Sequence, residues 1–184
     1  PNDSRAYEDL ATYYETSGNK AEYSKSCKLM YTSNVMPAPL LNWGYNMLAE
    51  VDQNAVLFTA GDNDTYAAWV IQEAKNFRKD VRIVNLSLML INDYRNKLLK
   101  DLGLPPLDVD MESSKTQEEF NEARKKIMDH FIANNKKRPV YIAVSAIHNI
   151  EEFTDIKEQL YLTGLCYKYA SESFDNVSIV VRNF

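Results

Sequence analysis

The segment Gly61-Asp62-Asn63-Asp64-Thr65-Tyr66 sets two carboxylates two positions apart, with an amide between them and a hydroxyl and an aromatic ring after them. Such a group can accept hydrogens from sugar hydroxyls or peptide amides, hold Mg²⁺ or Ca²⁺, or supply a general base. The same residue types also turn a chain and cap a helix, because Asp, Asn and Thr bond readily to nearby main-chain N–H groups. On local chemistry alone the structural turn ranks first, ligand contact second and a metal third. An EF-hand is excluded, since the later glycine and the twelfth-position Glu are missing. Neither GxGxxG nor GxxxxGK[ST] occurs, and paired aspartates at a helix start repel phosphate, so a phosphate cradle is disfavoured. Gly61 is expected to supply a backbone conformation closed to other residues.

Four further polar residues join this turn if the strands run as their patterns suggest: Asn85, Ser87, Ser145 and His148. Ser145 and His148 invite a nucleophile–base pairing, but no GxSxG surrounds a serine, and His148 reads first as a polar loop residue. His130 is expected at a solvated helix edge. Trp69 reads as core, with the alternative that it offers an apolar face to a sugar ring.

The elements that must position these groups are legible in the periodicity. Ala55–Thr59 is a continuous apolar run bounded by turn residues, the signature of a strand buried on both faces, and Val81–Leu86 is a second. Thr65–Phe77 between them is helical, with Asp64 or Thr65 as its cap, and Ile91–Leu102 is a second helix ended by Gly103. Ser114–Gln117 reads as a capping box opening a helix to about Asn134 with Phe120, Ala123, Ile127 and Phe131 inward. Pro139–Ser145 is a third strand, Asn149 with Glu152 opens a short helix, and β runs are expected at Leu165–Ala170 and Val177–Arg182. Ser171–Asn176 between the last two is short enough for an antiparallel edge hairpin. In open α/β sheets ligands gather beyond the carboxyl ends of parallel strands, and the polar residues named above fall at those ends.

Upstream, Tyr7, Leu10, Ala11 and Tyr14 share one helical face, Gly18 breaks the chain, and Tyr23, Cys27 and Met30 share a second face. This hairpin resembles a tetratricopeptide repeat, although Tyr23 stands where a small residue is usual, and a third helix follows at about Leu40–Glu50. The expected division is a helical hairpin or collar over 1–50 and an α/β domain over 51–184. The expected fold class is a three-layer, Rossmann-like α/β domain with a mostly parallel sheet, preceded by tetratricopeptide-like helices.

Composition bounds the function. The 184 residues carry a net charge of -5, which argues against nucleic acid, and no apolar run approaches the ~20 residues of a membrane span. With 45% hydrophobic and 26% charged residues, disordered and fibrous classes drop out. Lys136-Lys137-Arg138 is expected to serve a helix C-terminus. Cys27 and Cys166 share no ligand-like spacing and read as buried free thiols rather than a zinc site. The chain begins at Pro1 without a leader and is expected to be a piece of a longer protein.

Asn46–Leu48, Asn54–Tyr66, Trp69, Gln72-Glu73, Asp80–Leu88, Arg138–Val144 and Leu160–Tyr169 carry a family resemblance. Over about Asn42 to Tyr169 the chain is similar to the soluble C-terminal region of a bacterial membrane-protein family, described as protein O-mannosyltransferase-like or as a domain of unknown function. Its GDNDT-[Phe/Tyr] turn is the specific element, and Ala67 stands where that family usually has Pro. The resemblance implies that glycosyl transfer belongs to a membrane-embedded part this chain lacks. It further implies an outward-facing accessory domain, sometimes beside tetratricopeptide-like helices.

The expected function is a non-catalytic accessory or binding module of a cell-envelope, glycosylation-related protein, periplasmic or outward-facing, taking a glycan or a protein segment and no cofactor. The candidate ligand residues are Asp62, Asn63, Asp64, Thr65, Tyr66, Asn85, Ser87, Ser145 and His148. One alternative is a transferase or hydrolase using Asp62 or Asp64 as base. The other is a helical interaction module displaying Tyr7, Tyr14, Tyr23 and Tyr31. This segment itself is expected to touch neither nucleic acid nor membrane.

Overall fold

A computed structural model describes residues 6–183, without the side chains of 148–154. It is a mixed α/β protein of seven helices and one five-stranded sheet, among the described residues. Helices α1 (Ala6–Ser17) and α2 (Lys20–Thr32) form a hairpin whose break is Gly18, at φ +79°, with the Asn19 side chain capping α2. Helix α3 (Ala38–Glu50) follows, with Pro37 at its N-cap and Pro39 in its first turn.

Strand β1 (Val56–Thr59) is buried at every position, as its unbroken apolar run predicts. It pairs in parallel with β2 (Arg82–Asn85) on one side and β3 (Val140–Ala143) on the other. The order β2-β1-β3-β5-β4 then turns antiparallel, with β5 (Cys166–Tyr169) beside β3 and β4 (Leu160–Leu162) beyond it. Two parallel and two antiparallel pairings make the sheet mixed, where a mostly parallel one was expected. The antiparallel edge hairpin exists, but Leu160–Leu162 is its first arm. Val177–Arg182, expected as a strand, lies in helix α7 (Asn176–Asn183), so β-branched content gave way to an amphipathic seat against β4.

Helix α4 (Asp62–Lys75) packs on one sheet face, where Thr65 meets Thr59 and Asn85; α6 (Gln117–Asn134) packs on the other, where Phe131 meets Phe58 edge-on at 5.0 Å. The α6 cap is Thr116 with Glu119, two residues beyond the Ser114–Gln117 box expected from the sequence. Helix α5 (Asn92–Asp101) lies after β2, and Val144–Gln159 forms a run of 3₁₀ turns where a short helix opened by Asn149 was expected. Cys27 and Cys166 are both buried free thiols, as expected.

Three polar residues lock the segments that connect helices and strands. Arg78 donates to the carbonyls of Leu48, Val51 and Asp52 at 2.6–2.9 Å, filling orphan acceptors at the end of α3, and pairs with Asp80 at 3.0 Å. Glu50 accepts from Leu165 N–H at 2.8 Å and Thr163 Oγ1 at 3.2 Å, clamping the β4–β5 turn. Arg95, fully buried, donates to the Met89 and Val109 carbonyls at 3.0 and 2.9 Å and so fixes the loop before α6. Arg138 reaches the Asn54 carbonyl at 3.2 Å instead of serving the end of α6.

Candidate functional site

The site is built where β1 runs into α4. Gly61 is the N-cap of α4 at φ −110°, ψ −178°, extended backbone open to any residue, so the special conformation expected of it is absent. The cap is supplied from inside the helix. Asp64, 4% exposed, accepts from Ala60 N–H at 3.1 Å, Gly61 N–H at 2.9 Å and Thr65 N–H at 2.9 Å. It also accepts from Ser145 Oγ at 2.7 Å, which brings the tip of β3 to the turn. A carboxylate at a helix N-terminus is favoured by the dipole, and charged acceptors make the stronger hydrogen bonds.

The second strand tip joins through hydroxyls. Thr65 Oγ1 lies 2.7 Å from Thr59 Oγ1 and accepts from Asn85 Nδ2 at 2.9 Å, while Asn85 Oδ1 accepts from the N–H groups of Ser87 and Leu88. Asp64, Thr65, Asn85 and Ser145 are therefore brought together, and they spend their polar atoms on one another and on the backbone. Asp62, Asn63 and Ser87 are exposed around them. Tyr66 is half-buried, its hydroxyl 2.9 Å from Thr12 Oγ1 on α1. Burial pushes the Tyr66 phenol up, and Glu8 is raised by burial with Asp62 and Asp9 adding repulsion. The side chain of His148 lies outside the described residues.

Thr59 and Thr12 are members of this network that sequence reasoning missed. Thr59 could have been found, because a hydroxyl as the last residue of an apolar strand points at the same rim. Thr12 could not, since its contact with Tyr66 spans 54 residues. His130, expected in solvent, is half-buried with Nε2 2.9 Å from the Pro105 carbonyl. Trp69 is buried core, in edge contact with Tyr23 at 5.5 Å, which removes it as a sugar platform.

Among the described residues no cluster of three or more His, Cys, Asp or Glu could hold a metal ion. No described helix is long and apolar enough to cross a membrane. The geometry fits a rigid turn that presents Asp62, Asn63 and Ser87 outward, and Asp64, with both oxygens committed, is no free base.

Residues 40–125 match a family model, TMEM260-associated domain 2. That is a domain family linked to a membrane protein. The matched stretch starts in α3, runs through β1, α4, β2 and α5, and ends within α6. It contains the acidic turn with Asn85 and Ser87, and stops short of Ser145 and His148. The match is consistent with a domain of a membrane protein and says nothing of mannosyl transfer. No curated protein and no solved structure matches the chain.

Proposed function

We propose that this chain is a non-catalytic accessory module of a cell-envelope, glycosylation-related protein, and that its rim at the strand ends binds a glycan. The reading rests on the four hydrogen bonds that Asp64 accepts, which make it a frame for the turn and leave Asp62, Asn63 and Ser87 as the groups facing solvent. The carboxylate of Asp62 and the amide of Asn63 in the turn before the half-buried Tyr66, with the exposed hydroxyl of Ser87 after β2, form a donor and acceptor set suited to sugar hydroxyls. The match to a domain family linked to a membrane protein supports the accessory role. On this reading the sheet with its flanking helices is a Rossmann-like domain, α1–α3 are tetratricopeptide-like, and the module faces outward from the membrane.

The enzymatic alternative loses support because its better-placed base, Asp64, has no uncommitted oxygen. The helical interaction alternative loses support because Tyr7, Tyr14, Tyr23 and Tyr31 are each partly buried rather than displayed. Titration of the ¹⁵N-labelled chain with oligosaccharides tests the proposal. Shifts at Asp62, Asn63 and Ser87 are expected; a rim silent to every sugar, or one that answers only to peptides, overturns the glycan reading.

A further inference from the structure

The sheet ends on one side at β4, and the last helix covers that edge. Ala170 N–H donates to the Gln159 carbonyl and Thr163 N–H to the Cys166 carbonyl, so odd-numbered residues of β4 turn their main chain toward β5. Leu160 and Leu162, both half-buried, therefore turn theirs outward. Leu160 N–H reaches the Lys157 carbonyl, and the Leu162 carbonyl accepts from Asn176 Nδ2 of α7 at 2.8 Å. Leu162 N–H and the Leu160 carbonyl meet no partner among the described residues.

The cover is weakly held. Helix α7 has no buried residue, and its two ends are tied to the strand by side-chain amides, Asn176 to the Leu162 carbonyl and Asn183 Nδ2 to the Thr163 carbonyl at 2.7 Å. Val177 and Val181, one turn apart, are 66% and 74% exposed, so much of its apolar surface faces away from the sheet. A helix of eight residues does not persist without packing. The chain before it is anchored by Phe174, whose ring lies 5.1 Å from that of Tyr161 and has Lys168 Nζ 5.6 Å from its centre. The hinge therefore falls at Asp175. Sheet edges are guarded by charged residues, by proline or by a covering element, and Leu160-Tyr161-Leu162 has neither charge nor proline. Its guard is α7.

We propose that α7 is a displaceable cover, and that its release lets β4 pair with β4 of a second copy of this chain. The edge is self-complementary. In two-fold antiparallel pairing Leu162 N–H of one copy meets the Leu160 carbonyl of the other, and these are the two groups already open. The Leu162 carbonyl, freed from Asn176, then faces the other copy's Leu160 N–H. Helix α7 lies where the second strand must come, so the covered chain does not pair through this edge. The inference is independent of the glycan reading, because Asp62–Tyr66, Asn85, Ser87 and Ser145 all lie outside β4 and α7.

The test compares the ¹⁵N-labelled chain with the double variant Asn176→Ala/Asn183→Ala by amide hydrogen exchange and by sedimentation over a range of concentrations. In the parent, α7 amides are expected to exchange at least about tenfold faster than those of β3 and β5. In the variant α7 is expected to lose its remaining protection and the chain to dimerise as concentration rises, with exchange of the Leu162 amide slowing about tenfold in step. Adding Leu162→Pro, which removes an N–H that β5 does not use, is expected to abolish the dimer. Amides of α7 that open only together with β3 and β5 overturn the proposal, as does a double variant that keeps the parent's mass at every concentration. A dimer that survives Leu162→Pro, or forms without slowing the Leu162 amide, also overturns it and would place the contact on another surface, such as Val177 and Val181.

Discussion

Ser145 Oγ donates to Asp64 Oδ2 at 2.7 Å, joining the end of the third strand to the first turn of α4 across 81 residues of chain. The same carboxylate holds three main-chain N–H groups, so one side chain fixes the helix start and the meeting of two strand tips.

Asp64→Asn is therefore expected to destabilise the protein by about 1–3 kcal/mol, because an amide NH₂ would confront groups that are themselves donors. Asp62→Asn, two residues away and exposed, should stay within about 0.5 kcal/mol of the parent. Urea unfolding of both variants checks this. Equal effects would show that the turn does not depend on Asp64.

Two glycines should separate just as sharply. A Cβ on Gly44 would lie 2.7 Å from the Ala67 carbonyl carbon and 2.8 Å from Ala68 N, so α3 and α4 touch backbone to backbone there. Gly44→Ala must push helices apart, and a loss of about 1–3 kcal/mol or more is expected. Gly61→Ala meets only Asp64 Oδ1 at 3.5 Å, in backbone any residue adopts, and should be close to neutral by thermal unfolding.

The Arg78–Asp80 pair predicts an acid limb. The hydrogen bonds from Arg78 hold the Asp80 carboxyl down at about 2. A depressed folded-state value means that the unfolded chain takes up the proton first. The pair's contribution is complete above about pH 4 and is lost as pH falls toward 2. Since both side chains are partly in water, its size should be on the order of 1 kcal/mol. In Asp80→Asn the decline in stability between pH 4 and 2 should be shallower than in the parent, and identical slopes would refute the assignment.

The thiols offer a kinetic reading. Burial pushes Cys27 up to about 12 and Cys166 well above its ordinary range, and neither is exposed to solvent. Because the thiolate is the reacting form, both should resist a disulfide reagent at pH 8 until denaturant is added. Rapid stoichiometric labelling of the native protein would contradict the packing described for α2 and β5.

Much of the frame could be read from local patterns. The apolar run of β1, the left-handed break at Gly18 and the cap region of α6 are set by residues within a few positions of one another, and periodicity reports such contacts directly. The fate of Val177–Arg182 could not be read that way. Its β-branched residues suit a strand, yet β4 already occupies the edge beside β5, and the segment becomes a helix lying against β4. Likewise the types and spacing of Asp62, Asn63 and Asp64 announced an acidic turn. Which carboxylate faces water and which is locked inside was decided by Ser145, 81 residues on, and by the main-chain N–H groups at the start of α4. Local sequence determines which hydrogen-bonding groups a segment carries; only the assembled chain decides which of them find partners, because those partners come from strands that meet through long-range packing.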